Sequence, residues 1–150
     1  MKEIIKKLFC MVALLSTYFN RIVLPYNPDT IVFYAGDNDI GSGTSADELL
    51  NEFLLFSSEV AEKIPHTRCF FISIKPSVFR SEYLDIILDF NKKVKNSIDH
   101  LNQWKYIDLC SPMLETGYEK FYGEDPLHMN ILGYSLLSKL IRDELDVFIN

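Results

Sequence analysis

Two short polar blocks carry residue types that hydrolytic chemistry uses. The first is Tyr34-Ala35-Gly36-Asp37-Asn38-Asp39, which follows the apolar run Ile31-Val32-Phe33, and the second is Asp125-Pro126-Leu127-His128. A β-branched and aromatic run that stops at glycine and gives way to short polar side chains reads as a buried strand delivering a loop at its carboxyl end. In an open parallel sheet, ligands bind at that end. Gly36 permits a positive φ or a close backbone approach, and Asn38 offers an amide donor that cannot lose its proton. Such a donor suits a site where negative charge develops. In the second block, an aspartate three residues before a histidine can accept from Nδ1–H and leave Nε2 free as a general base. The same spacing has a structural use, with Asp125 capping a closing helix and His128 in its first turn. Short motifs are unspecific, and spacing alone favours the structural use.

Asp37 and Asp39 also pose the question of a hard cation, because paired carboxylates suit calcium or magnesium. Such sites usually take more oxygen ligands than this loop offers. Both residues are therefore expected to fix the loop by bonding nearby backbone N–H groups, with no metal and no cofactor.

The elements that must position these blocks follow from hydrophobic period and turn chemistry. Ile4 to Val23 can be helical, with Pro25 and Pro28 ending the segment before a strand from Thr30 to Tyr34. Ser45-Ala46-Asp47-Glu48 has the form of a capping box and predicts a helix from Ala46, whose Leu49, Phe53, Phe56, Val60 and Ile64 make one apolar face. Cys69-Phe70-Phe71-Ile72-Ser73-Ile74 lacks helical period and reads as a second buried strand. Tyr83 to Leu101 predicts a third helix and Tyr106 to Leu109 a third strand. A polar loop from Ser111 to Asp125 follows, then a closing helix from His128. Strand and helix alternate from residue 30 onward, which predicts an α/β fold with a parallel sheet and helices on both faces.

Composition narrows the function classes. With 150 residues, one domain spanning 1–150 is expected, and 48% apolar content supplies a sizeable core. A net charge of -6 without clustered Lys and Arg argues against nucleic-acid binding. Cys10, Cys69 and Cys110 are widely spaced and suggest neither zinc nor a disulfide framework; Cys69 and Cys110 read as buried thiols. Residues 1–24 read either as an amphipathic or buried helix or as a secretory signal-like segment, so the compartment stays open. His66 and His100 are expected to be solvated.

Taken together the blocks resemble the SGNH, or GDSL, family of esterases and lipases. The likeness runs from about Phe19 to Ile141 and is close through Arg21-Ile22-Val23-Leu24-Pro25-Tyr26, through Val32-Phe33-Tyr34-Ala35-Gly36-Asp37-Asn38-Asp39-Ile40, at Asp125-Pro126-Leu127-His128-Met129-Asn130 and at Gly133-Tyr134. The resemblance implies that Asn38 supplies an oxyanion-hole amide and that Asp125 and His128 are the acid and base of a triad. It also implies a flavodoxin-like, three-layer fold with a five-stranded parallel sheet in the order 2-1-3-4-5. The substrates implied are acyl esters of lipids, carbohydrates or small molecules, and no metal is needed.

The sequence departs from the family in its first half. No Gly-Asp-Ser block is present, no glycine precedes Gly36, and Ser16 is the only upstream serine and lies in a helix-like context. The fold is thus expected to lack its first two strands, with no nucleophile and weak or no esterase activity. Ser42, Ser45, Ser73 and Ser77 are poor substitutes, since Ser45 reads as a helix cap and Ser77 as turn chemistry. Loss of the first strand would leave the strand at Thr30 with an open apolar edge, to be covered by the N-terminal helix, paired with another chain such as a second copy, or left prone to aggregation. The rival reading is a non-catalytic binding or assembly module that uses this edge.

Overall fold

The computed structural model describes residues 12–149. Three strands form one parallel sheet in the order β1-β2-β3: β1 is Thr30–Phe33, β2 is Arg68–Ile72 and β3 is Trp104–Ile107. Thr30 lies beside Arg68 and Cys69 beside Trp104, so the carboxyl ends finish together, with Phe33 beside Phe71 and Ile72 beside Ile107.

Alternation along the strands builds two cores, one on each face of the sheet. Cys69 and Phe71 enter the larger core, while Phe70 and Ile72 enter the smaller. The larger core holds the helices α1 (Val12–Thr17), α2 (Phe19–Ile22), α4 (Ala46–Lys63) and α5 (Leu84–Ile98); a short helix α3 (Asp37–Gly41) follows β1. Aromatic rings lock it, with Phe53 against Trp104 at 4.9 Å and Phe33 stacked on Phe71 at 5.7 Å between centroids. On the other face lie α6 (Cys110–Glu115) and α7 (Ile131–Ile149). The three-layer α/β/α arrangement expected from the sequence is therefore present. Among the described residues the sheet has three strands, two fewer than the five that the resemblance implies, and β1 pairs on one side only.

Several local expectations hold. Ser45 Oγ accepts from the Glu48 N–H at 3.3 Å while Glu48 Oε2 accepts from the Ser45 N–H at 3.0 Å, a complete capping box. Leu49, Phe53, Phe56 and Val60 are buried as one stripe. Cys69 and Cys110 are buried free thiols.

Others are corrected. The expected helix from Ile4 to Val23 is, in its described part, two short helices joined at Tyr18 and followed by a 3-10 turn at Leu24–Tyr26; residues 1–11, on which much of the signal-like reading falls, lie outside the described residues. Val12, Leu15 and Phe19 are buried in the larger core. No helix among the described residues is long and apolar enough to cross a membrane. The third strand starts at Trp104 and ends at Ile107, because pairing with β2 fixes its register. The polar loop after Ser111 contains α6 and a 3-10 turn at Tyr118–Phe121, held by burial of Met113 and Phe121, two anchors too few to show a period.

The closing helix begins at Ile131, past His128. Asn130 caps it, its Oδ1 accepting from Leu132 N–H at 2.9 Å and Gly133 N–H at 3.3 Å, while its Nδ2 donates to the carbonyls of Lys120 and Tyr122. Asp125 is thus no helix cap.

Candidate functional site

Phe33 ends β1, and the chain turns at Gly36 with φ 109°, a conformation glycine alone adopts freely. A Cβ there would also meet Ile74 Cδ1 and Leu49 Cδ2 at 2.9 Å each. Gly36 is required twice over, by backbone conformation and by space. The polar block expected to be a loop is instead the short helix α3, which carries Asp37 and an exposed Asn38.

Asp37 does not fix this segment through neighbouring N–H groups as expected; its partners are distant cations. Asp37 Oδ1 receives Arg80 Nη1 at 2.8 Å, and its Oδ2 lies 3.6 Å from Lys75 Nζ. Asp39 is buried and accepts, through Oδ2, the N–H of Val12 at 3.3 Å, joining β1's end to the N-terminal helix. Burial raises the Asp39 carboxyl above its ordinary range, opposed by that backbone bond. Among the described residues no group of His, Cys, Asp or Glu is arranged to hold a metal.

Lys75 and Arg80 are the residues that sequence reasoning passed over. They leave β2 in a segment fixed on both sides: Ser73 N–H donates to the Ile107 carbonyl at 2.9 Å, and Asn91 brackets Ile74, its Oδ1 accepting from N–H and its Nδ2 donating to the carbonyl, each at 2.8 Å. Both cations are almost fully buried. Lys75 Nζ donates to the Leu127 carbonyl at 2.8 Å and lies 5.5 Å from the centre of the Tyr122 ring. Phe79 N–H donates to the Pro126 carbonyl at 3.1 Å, and Tyr122 O–H to the Pro76 carbonyl. Desolvation pushes the Lys75 ammonium below its ordinary value, opposed chiefly by Asp37 and also by Asp125. One ammonium thus touches the neighbour of Asn38 and the neighbour of His128. The two blocks, distant in sequence, meet at the carboxyl end of the sheet. The signal that could have found this is the pair of cations, Lys75 and Arg80, directly after a buried apolar run, because buried cations need an anion nearby.

In the second block the helix-capping reading of Asp125 gives way to a local turn. Its Oδ1 accepts from Leu127 N–H at 2.8 Å and His128 N–H at 3.1 Å, a local turn, while its Oδ2 meets His128 Nδ1 at 2.7 Å. The two backbone bonds and then the His128 ring hold the Asp125 carboxyl down at about 2. A carboxylate at Nδ1 favours the tautomer with its proton on that nitrogen, in which Nε2 carries the lone pair. The His128 side chain is 59% exposed and the Asp125 side chain 55%, so the pair stands open to solvent.

Each serine considered as a nucleophile has a structural task. Ser42 Oγ donates to the Asn38 carbonyl, Ser45 belongs to the capping box, Ser73 Oγ accepts from the N–H groups of Leu109 and Cys110, and Ser77 Oγ accepts from Arg80 N–H. Among the described residues no serine hydroxyl bonds to His128. A groove of about 690 Å³ lies at the outer edge of β3 between Ile98 and Leu140 and includes neither polar block.

The layered parallel sheet thus carries the Asp125–His128 pair and the helix bearing Asn38 on one rim. No family model matches the sequence, and no curated protein matches it. Solved structures do. A carbohydrate esterase family 3 protein from Talaromyces cellulolyticus superposes with TM-score 0.81 at 16% identity, over 93% of this chain and 68% of that one. A GDSL-like lipase from Bacteroides thetaiotaomicron gives 0.75 at 17%, over 91% and 71%. A protein of Streptococcus pneumonia named after platelet activating factor gives 0.76 at 26%, over 91% and 68%. The chain has the fold of the SGNH/GDSL esterases and lipases and spans about two thirds of the length of these structures.

Proposed function

We propose that this chain is an SGNH/GDSL-type ester hydrolase domain that binds small acyl esters, acetyl esters first, and cleaves them slowly with water in place of a serine. The observation that carries the reading is the 2.7 Å contact of His128 Nδ1 with Asp125, on the rim that Lys75 ties to the Asn38 helix. Water attacks the ester carbonyl as His128 Nε2 takes its proton, and Asp125 holds the resulting imidazolium. Asn38 Nδ2 donates to the developing oxyanion, and the imidazolium returns the proton to the departing alcohol oxygen. A general base contributes about 10² to 10⁴ in rate, well short of a complete triad. An acetyl esterase mutant with alanine in place of a serine, solved with acetate ion, has TM-score 0.81 to this chain at 16% identity, which supports acetate as the first acyl group to try.

The test is hydrolysis of p-nitrophenyl acetate by the purified chain. Slow turnover without a burst, no labelling by a fluorophosphonate probe, and loss of turnover in His128→Ala support the reading. Stoichiometric labelling that His128→Ala abolishes would show a serine nucleophile at work, and turnover that survives His128→Ala would exclude the histidine as base.

The second reading, a binding or assembly module, rests on β1, which pairs on one side only among the described residues. Strand edges recruit strands. A clean monomer by light scattering at high concentration would contradict it.

A further inference from the structure

We propose that Arg80 sets the polarity of the Asn38 amide and that Gly41 exists to seat it, making Arg80 a positioning residue for the ester site; this rests on the ester-site reading above. A side-chain amide has one accepting arm and one donating arm, and an oxyanion needs the donor. Arg80 Nη2 donates to Asn38 Oδ1 at 2.9 Å. A guanidinium only donates, so the opposite orientation would set donor against donor. Nδ2 therefore faces away from Arg80, and among the described residues it has no bonding partner.

The guanidinium itself has little freedom. Nη1 is held by Asp37 Oδ1 at 2.8 Å, and the residue's N–H donates to Ser77 Oγ at 3.2 Å. Its flat head lies on Gly41, where an added Cβ would come within 2.8 Å of Cζ. Gly41 is helical and has no positive φ, so alanine suits its backbone, and the three nearest atoms that its Cβ would meet all belong to the Arg80 guanidinium. The site thereby gains a donor whose direction is fixed before substrate arrives, which is what anion stabilisation requires of it.

Two substitutions separate this role from a structural one. Gly41→Ala keeps every charge and displaces the guanidinium; Arg80→Gln removes the guanidinium that holds Asn38 Oδ1 and lets the amide reverse. Acetate is titrated into the wild type and both variants, following the Asn38 side-chain NH₂ signal by NMR, with the backbone amide spectrum as the check on folding. The expected result is that acetate shifts the Asn38 signal in the wild type and that Gly41→Ala binds at least tenfold more weakly with an otherwise unchanged spectrum. Arg80→Gln should follow Gly41→Ala. Wild-type affinity in a folded Gly41→Ala protein whose Arg80 signals have moved overturns the role of Arg80 alone. Absence of any acetate response in the wild type overturns the ester-site reading itself, and this role with it.

Discussion

Asp125 divides its carboxylate between two duties toward His128: one oxygen accepts the histidine's backbone N–H at 3.1 Å and the other meets its Nδ1 at 2.7 Å. The turn that shapes the loop and the contact that orients the imidazole are therefore one device. Neither can be lost without disturbing the other.

Asp125→Asn should lower stability in a pH-dependent way. The carboxyl is held at about 2 in the fold against an ordinary 3.8. A depressed carboxyl stabilises the folded state above its unfolded value and loses that contribution as pH falls through the folded value. Urea midpoints of wild type and variant should differ at about pH 5 and converge between about pH 4 and pH 2. A difference that persists unchanged into acid would assign the effect to side-chain geometry alone.

Gly36→Ala should destabilise the fold by about 2–4 kcal/mol, the sum of a left-handed backbone cost and overpacking. Its Cβ would press on Ile74 and Leu49, both fully buried. Equilibrium unfolding in urea measures it, and a loss below about 1 kcal/mol would mean that the turn relaxes to accept a side chain.

Asn91→Leu should cost about 2–5 kcal/mol despite its similar size, because it leaves two buried backbone groups of Ile74 unpaired. Hydrogen exchange should show the Ile74 amide losing protection first. Since Ile74 precedes Lys75, the loop carrying both cations should loosen with it, visible as raised exchange at residues 75–80.

The two buried thiols should be inert in the native protein. Burial pushes Cys69 up to about 12 and Cys110 up to about 11. In a Cys10→Ser background, Ellman's reagent should react with neither thiol near pH 8 before denaturant is added, and with both afterwards.

Local chemistry was legible in the sequence. Capping by Ser45 and Glu48, the stripe of α4, the strand before Gly36 and the Asp125–His128 pair all depend on residues within a turn or two of each other, and each is present in the fold. Period and short spacing encode such features because neighbours on the chain are necessarily neighbours in space. Sequence also fixed the alternation of strand and helix, and so the parallel sheet. Tertiary structure decided the rest. Lys75, Arg80 and Asp37 meet across more than thirty residues of chain, and Asp39 finds its partner at Val12, 27 residues away. The register of β3 came from its pairing with β2, and the start of α7 from Asn130, whose side chain also ties back to Lys120 and Tyr122. Long-range ion pairs and strand registers leave no periodic trace, since their energy exists only after the sheet has brought the loops to one rim.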